Sequence, residues 1–93
     1  MKTSPNHNWY NCFSFTANKN GIIFSCDILT YQSRIGHLYN KYKENVGTKK
    51  ERENDDFCTF SIQIKIDRND LRLNEKLKDI VELMNLKGFF KRF

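Results

Sequence analysis

The sequence predicts one two-layer α+β domain in which a three-stranded antiparallel sheet, an N-terminal hairpin plus one strand, carries two helices on one face. Two alternating apolar runs flank the turn sequence "NKNG", a third alternating run covers residues 57–67, and two stretches repeat apolar residues at helical spacing. The predicted order is β-β-α-β-α, and the last residues could add a short C-terminal strand. At 93 residues the chain is treated as one domain, 1–93, with a flexible N-terminus at 1–8.

The first two strands form a predicted hairpin. Residues 9–17 and 22–31 both alternate apolar and polar side chains. A two-residue loop at Asn20-Gly21 pairs Phe15 with Cys26, and a four-residue loop over 18–21 keeps the same faces. An odd-numbered loop would mix apolar with polar positions. We therefore expect an even-numbered loop whose inward residues are Phe13, Phe15, Phe24 and Cys26.

A helix and a charged loop follow the hairpin. Ser33 is the expected N-cap, and apolar residues recur at helical spacing up to Val46, before Gly47 ends the helix. Residues 47–56, "GTKKERENDD", contain no apolar side chain, so burial cannot offset the entropy of ordering them. We expect this stretch to be a mobile charged loop.

The remainder of the chain predicts a strand, a helix and an aromatic tail. "FCTFSIQIKID" alternates strictly, with Cys58 and the isoleucines turned inward. The helix runs from about residue 70 or 74 to about 87, where Gly88 closes it. Its apolar positions are Leu73, Leu77, Ile80, Val81 and Met84. In the terminal "FFKRF", Phe89, Phe90 and Phe93 either complete the core, which the small domain size favours, or form a contact surface.

The net charge of +5 is spread along the chain, and its one acid-free concentration follows Glu82 at the C-terminus. A diffuse excess of this size mainly favours solubility. It leaves phosphate binding, and so an RNA- or DNA-binding regulator, as an alternative function. The candidate basic patch comprises Lys41, Lys43, Lys49, Lys50, Lys87, Lys91 and Arg92.

The three cysteines are not arranged for metal binding. Cys26 and Cys58 fall on predicted core faces, whereas Cys12 falls on the opposite face of the hairpin, so the thiols cannot converge. We expect free structural thiols, no metal site and no cofactor.

One histidine is the best candidate for acid-base chemistry. His37 lies on a predicted helix face between Arg34 and Lys41, where cations could stabilise a phosphate. A single histidine without a second acid or base is weak support for catalysis. We therefore assign no catalytic residue and do not expect an enzyme. A small ribonuclease-like toxin is the second alternative.

The expected function is a small non-enzymatic binding module, an inhibitor, adaptor or regulator encoded by a bacterium or a phage, that acts through protein contact. The two-residue loop makes Tyr10 and Tyr31 neighbours on the open sheet face. The full candidate surface is Tyr10, Tyr31, Gln63, Lys65, Phe89, Phe90 and Phe93. A three-stranded sheet leaves two edges, so homodimerisation by edge pairing is a further expectation. Without an apolar span or a signal sequence, we expect a cytoplasmic protein that does not bind membranes.

Overall fold

A computed structural model describes residues 12–54 and 56–86, without the side chains of residues 52–54. The elements in chain order are β1 Cys12–Asn18, β2 Gly21–Tyr31, α1 Gln32–Tyr42, β3 Lys49–Asn54, β4 Phe57–Asp67 and α2 Leu73–Leu86. The four strands form one antiparallel sheet in the order β1-β2-β4-β3. The α+β class is therefore confirmed, with both helices on one face of the sheet.

The pairing of β2 with β4 forms the centre of the molecule. All eleven residues of each strand are paired, from Gly21 opposite Asp67 to Tyr31 opposite Phe57. Alternate residues of both strands face the helices and are buried, because a strand turns successive side chains to opposite faces. These buried residues are Phe24, Cys26, Ile28 and Thr30 in β2, and Cys58, Phe60, Ile62, Ile64 and Ile66 in β4.

The helices cover this apolar face side by side. In α1, Ile35 and Leu38 are buried, and the ring of Tyr39 packs 5.7 Å from that of Phe60. In α2, Ile80 and Leu83 are buried in the same cluster. Leu73, Leu77 and Val81 belong to the apolar stripe of the predicted helix, but their side chains are exposed, because α2 turns only part of that stripe toward the sheet.

The three-strand prediction is wrong, because Lys49–Asn54 forms a strand within the stretch expected to be a mobile loop. Lys49 pairs with Ser61 and Glu51 with Thr59, and a register irregularity follows Glu51. The strand has no apolar pattern because it occupies the sheet edge, where the backbone ladder with β4 orders it.

The hairpin has the register of the four-residue alternative, but Asn18 also pairs with Gly21, so the loop between the strands is Lys19-Asn20. Ala17 pairs with Ile22 and Phe15 with Phe24, rather than with Cys26. The side-chain oxygen of Asn18 accepts hydrogen bonds from the backbone N–H of Asn20, at 2.8 Å, and of Gly21, at 3.0 Å. This local bond selects one of two registers that periodicity cannot separate. The even-numbered loop is confirmed.

The first helix is shorter than expected. It begins at Gln32, directly after β2, without a side-chain N-cap, so the prediction for Ser33 is wrong. It ends at Tyr42, because the following residues form turns in which Asn45 N donates to Tyr42 O at 2.9 Å. Val46 is therefore outside the helix and exposed.

Predictions for the two chain ends lie outside the described residues. These are the flexible N-terminus at 1–8, the stop at Gly88 and the short C-terminal strand. Within the two described ranges, neither helix has the length and apolar content that crossing a membrane requires.

We predict that Gly21→Ala lowers the free energy of unfolding by about 2 kcal/mol or more. Gly21 has a φ of 150°, and an added Cβ would collide with the backbone carbonyl of Ile66 in β4. Gly36→Ala is the matched control, since its Cβ would meet only the flexible Gln32 side chain and would improve helix propensity. Urea unfolding should show opposite shifts of the two midpoints, and equal losses would contradict this account of Gly21.

Candidate functional site

The predicted contact surface is only partly assembled by the fold. Tyr31, Gln63 and Lys65 share the open face of the sheet, opposite the helices. Tyr31 and Lys65 are near opposite ends of the β2–β4 ladder, separated along β4 by about 27 Å. They do not form one compact site. Tyr10, Phe89, Phe90 and Phe93 lie outside the described residues.

An aromatic pair marks one end of the open face. The rings of Tyr31 and Phe57 are 4.8 Å apart, and both side chains are exposed. Asp56 precedes Phe57, and its carbonyl accepts the backbone N–H of Gln32 at 2.5 Å. Because no described basic side chain pairs with these rings, they resemble an apolar anchor more than a stacking site for nucleotides.

The middle of the open face is polar and internally bonded. Ser61 Oγ donates to Asp27 Oδ1 at 2.7 Å, and Lys49 Nζ is 3.0 Å from Glu51 Oε2. Ser25, Asp27, Lys49, Ser61 and Gln63 line an open groove of about 300 Å³. Lys49 is paired with Glu51, and Asp27 adds a carboxylate to the lining of the groove. The groove therefore has no excess positive charge to hold a phosphate.

The candidate basic patch does not come together. Lys49 and Lys50 are adjacent in β3 and so point to opposite faces of the sheet. Lys50 Nζ lies 3.2 Å from Gln32 Oε1 and 5.4 Å from the centre of the Tyr39 ring, in the helix layer. Lys41 is paired within that layer, and Lys43 is exposed after α1. Lys87, Lys91 and Arg92 lie outside the described residues.

Side chains close the part of the outer edge of β4 that β3 does not cover. Thr48 Oγ1 accepts the backbone N–H of Gln63 at 2.9 Å, and Asn45 donates to the Gln63 carbonyl at 2.9 Å. Lys76 Nζ donates to the Lys65 carbonyl at 2.7 Å. With the charged and irregular β3 beside it, this side of the sheet has the features that prevent strand addition.

The opposite edge, β1, has none of those features. Its sequence, CFSFTAN, contains no charged residue, and every side chain except Phe13 is exposed. Phe15 is 54% exposed although it was predicted to be buried. Its ring is 5.1 Å from that of Phe24 and shields one side of the core. Among the described residues, β1 pairs with β2 alone.

The direction of the β1 backbone groups follows from the ladder. Gln63 points its N–H and C=O toward Thr48 and Asn45, away from β2. Ser25, which pairs with Gln63, must therefore point its own N–H and C=O away from β4. These groups face Ser14 of β1. Because these directions alternate along a strand, the neighbouring residues in β1 point outward. The N–H and C=O groups of Phe15 and Ala17 therefore face the outer edge.

Exposed apolar side chains of α2 lie on the same side of the molecule. Asp79 faces α1, and Leu77 and Val81 are each about 160° around the helix from it. Since α1 lies toward β3, where Lys50 meets Tyr39, the flank with Leu77 and Val81 lies toward β1. These two side chains are 45% and 46% exposed. With Phe15, Ala17 and Ile22 they form what we call the β1 flank.

The helix layer contains an ion-pair network that the sequence did not reveal. Tyr42 OH donates to the buried Asp79 carboxylate at 2.5 Å, and Lys41 Nζ is 2.7 Å from the same oxygen and also pairs with Glu75. Burial, followed by the bond to Asp79, raises the pKa of the Tyr42 hydroxyl. The bonds to Asp79 and then Glu75 raise the pKa of the Lys41 ammonium. The network ties α1 to α2.

His37 belongs to this helix contact. Its Nε2 is 2.7 Å from Glu82 Oε2, which joins α1 to α2 a second time. This provides the second titratable group that sequence reasoning missed, because residues 37 and 82 are far apart in the chain. Both side chains are about half exposed, and neither lines the groove of the open face. We therefore interpret the pair as a structural contact between α1 and α2.

No group of three or more metal-ligating side chains occurs within residues 12–54 and 56–86. Cys12, Cys26 and Cys58 form no disulfide with one another; Cys26 and Cys58 are buried, and Cys12 is exposed 4.0 Å from an Asp27 oxygen. Comparisons with known protein families, curated proteins and solved structures found no match for this chain.

We predict that Glu75→Gln lowers stability at neutral pH and that its effect disappears in acid. Hydrogen bonds from Arg72 and then Lys41 lower the pKa of Glu75 from 4.5 to about 2. A lowered carboxyl pKa contributes stability that is fully present above the unfolded value and is lost as the pH falls toward the folded value. Urea midpoints of variant and wild type should therefore differ at about pH 7 and converge at about pH 2.

Glu44→Gln is the matched control for Glu75→Gln. Glu44 is exposed after α1 and forms no ion pair with another described side chain. Its variant should follow the wild-type pH dependence. A Glu75→Gln midpoint that stays below wild type by the same amount in acid would contradict the assigned role of the carboxylate.

Proposed function

We propose that the chain is a non-enzymatic protein-binding module that binds through the outer edge of β1. The observation that carries this proposal is the difference between the two sheet edges. β3 is charged and irregular, and the neighbouring part of β4 is closed by side chains. In contrast, β1 is regular and uncharged, and it directs the backbone groups of Phe15 and Ala17 outward.

Such an edge supports binding by strand addition. A partner strand would gain main-chain hydrogen bonds from Phe15 and Ala17, and its side chains would meet two different surfaces. On the helix side it would contact the exposed ring of Phe15. On the open side it would contact Ser14 and Thr16, which are exposed and uncharged. Natural proteins usually protect an exposed sheet edge of this kind. Because β1 lacks that protection, its edge favours a role in binding another strand.

The two alternative functions have less support. A nucleic-acid regulator needs clustered cations, but Lys41, Lys49 and Lys50 are engaged within the chain and lie on different faces. A ribonuclease-like toxin centred on His37 would now have Glu82 as a second acid-base group. That pair connects two helices, and neither side chain lines the groove of the open face, so we retain protein contact as the proposal.

We also propose a cytoplasmic location. Its support is the state of the cysteines, since all three are thiols and Cys26 and Cys58 are buried in the core as small apolar side chains.

We predict that Ala17→Pro abolishes strand addition while preserving the fold. Proline removes the outward N–H of Ala17 and leaves the ladder with β2 intact, as edge strands tolerate. Peptides selected from a displayed library of short random sequences should bind the variant at least about tenfold more weakly than wild type. Its free energy of unfolding should fall by less than about 1 kcal/mol.

Two variants control this experiment. Ala17→Val keeps the N–H and should retain peptide binding. Thr16→Pro removes an inward N–H and should cost about 2 kcal/mol or more of stability, which tests the assigned backbone directions. Selected peptides that bind Ala17→Pro as well as wild type would overturn the proposal. So would an absence of selected peptides together with retention of mixed oligonucleotides at low salt.

A further inference from the structure

We propose that the partner strand at the β1 edge is β1 of a second copy of this chain, so that two copies form one continuous eight-stranded antiparallel sheet. This inference rests on the proposed function, because it names the partner of the same edge. The paired segment is Ser14–Asn18 from each copy, with Thr16 opposite Thr16 on the two-fold axis.

The register follows from the directions of the backbone groups. Phe15 and Ala17 direct their N–H and C=O groups outward, and both are bonded when Phe15 of one copy faces Ala17 of the other across the new ladder. Centring the pair on Thr16 places Phe15 opposite Ala17 and Ala17 opposite Phe15. Thr16 then occupies a position without ladder bonds, where opposing side chains approach most closely, and a Thr–Thr pair is favourable.

Charge and size are compatible with self-pairing. A two-fold axis places a strand against itself, so a charge near the axis would face its own copy. β1 has no charged residue along its length. On the helix side, the large Phe15 ring of one copy meets the small Ala17 of the other, which leaves room for a ring that is now 54% exposed.

The layering of the fold favours a second copy over an isolated peptide. Antiparallel edge pairing about a two-fold axis perpendicular to the sheet keeps both helix layers on the same side. An added peptide would cover the β1 edge but not Leu77 and Val81, which stand above the sheet in α2. A second copy brings its own α2 beside the first. It therefore covers the whole β1 flank, including Ile22, which is 42% exposed.

The direct test is the mass of the chain in solution. Sedimentation equilibrium of the full chain should approach twice the monomer mass of 11.2 kDa as concentration rises. Thr16→Lys should remain monomeric with its fold intact, because it places two ammonium groups against each other. Thr16→Val, which keeps an uncharged branched side chain at the axis, should dimerise like wild type.

Cross-linking tests the register. Thr16→Cys in a Cys12→Ser background should form a disulfide-linked dimer under mild oxidation with diamide, because opposing Cα atoms at such a position are about 4.5 Å apart. Ser14→Cys in the same background is the matched control. In the dimer its two cysteines would be about 14 Å apart, so this variant should not form a disulfide-linked dimer under the same oxidation. Equal cross-linking of both variants would overturn the Thr16 register.

Failure of this inference can be distinguished from failure of the proposed function. A chain that stays monomeric at every concentration, while selected peptides still require the N–H of Ala17, would show that the partner is not a second copy and would leave strand addition standing. A dimer that survives Thr16→Lys unchanged would show that the copies meet elsewhere. A monomer without peptide binding at β1 would overturn both proposals.

Discussion

The structure depends on one long antiparallel pairing, the ladder of β2 with β4. Because the two strands match over eleven residues each, their alternating side chains give one continuous apolar face, with Phe24 opposite Ile64 and Ile28 opposite Phe60. Both helices pack on that face, and β1 and β3 add to its two sides. The ladder also fixes the direction of backbone groups in the outer strands, since each added strand inherits the alternation of its neighbour.

The two edges of the sheet differ because different parts of the chain pack against each side of the β2–β4 ladder. On the β4 side, the turns after α1 and the start of α2 bring Thr48, Asn45 and Lys76 against the strand, and β3 carries charge. The bonds of Asp79 to Lys41 and Tyr42 hold α2 against α1, which leaves the β1 side of the helix layer open. The exposed edge and the exposed apolar side chains of α2 are thus two results of one arrangement. A partner that continues both layers would cover them together.

The sequence predicted the elements that are determined by the pattern of their own side chains. It missed features that depend on contacts with distant parts of the chain. Alternation identified β2 and β4 correctly because their buried residues recur at every second position. β3 was missed since hydrogen bonds to β4, not its own side chains, order it. Periodicity could not select between two even-numbered hairpin loops, and the Asn18 side chain decided the register. In α2 the apolar stripe is wider than the buried stripe, so Leu77 and Val81 belong to the predicted apolar face but are exposed in the structure. The β1 edge could not be singled out while the number of strands was uncertain.

The central claim is that β1 presents an outer edge that a partner strand completes. Backbone amide exchange measured across a dilution series tests it most directly. The account predicts that the inward amides of Ser14 and Thr16 are protected at every concentration. The outward amides of Phe15 and Ala17 should exchange fast in dilute protein and slow down as concentration rises. Protection of Phe15 and Ala17 equal to that of Ser14 and Thr16 at the greatest dilution would contradict the claim, because the edge would then be covered within a single chain.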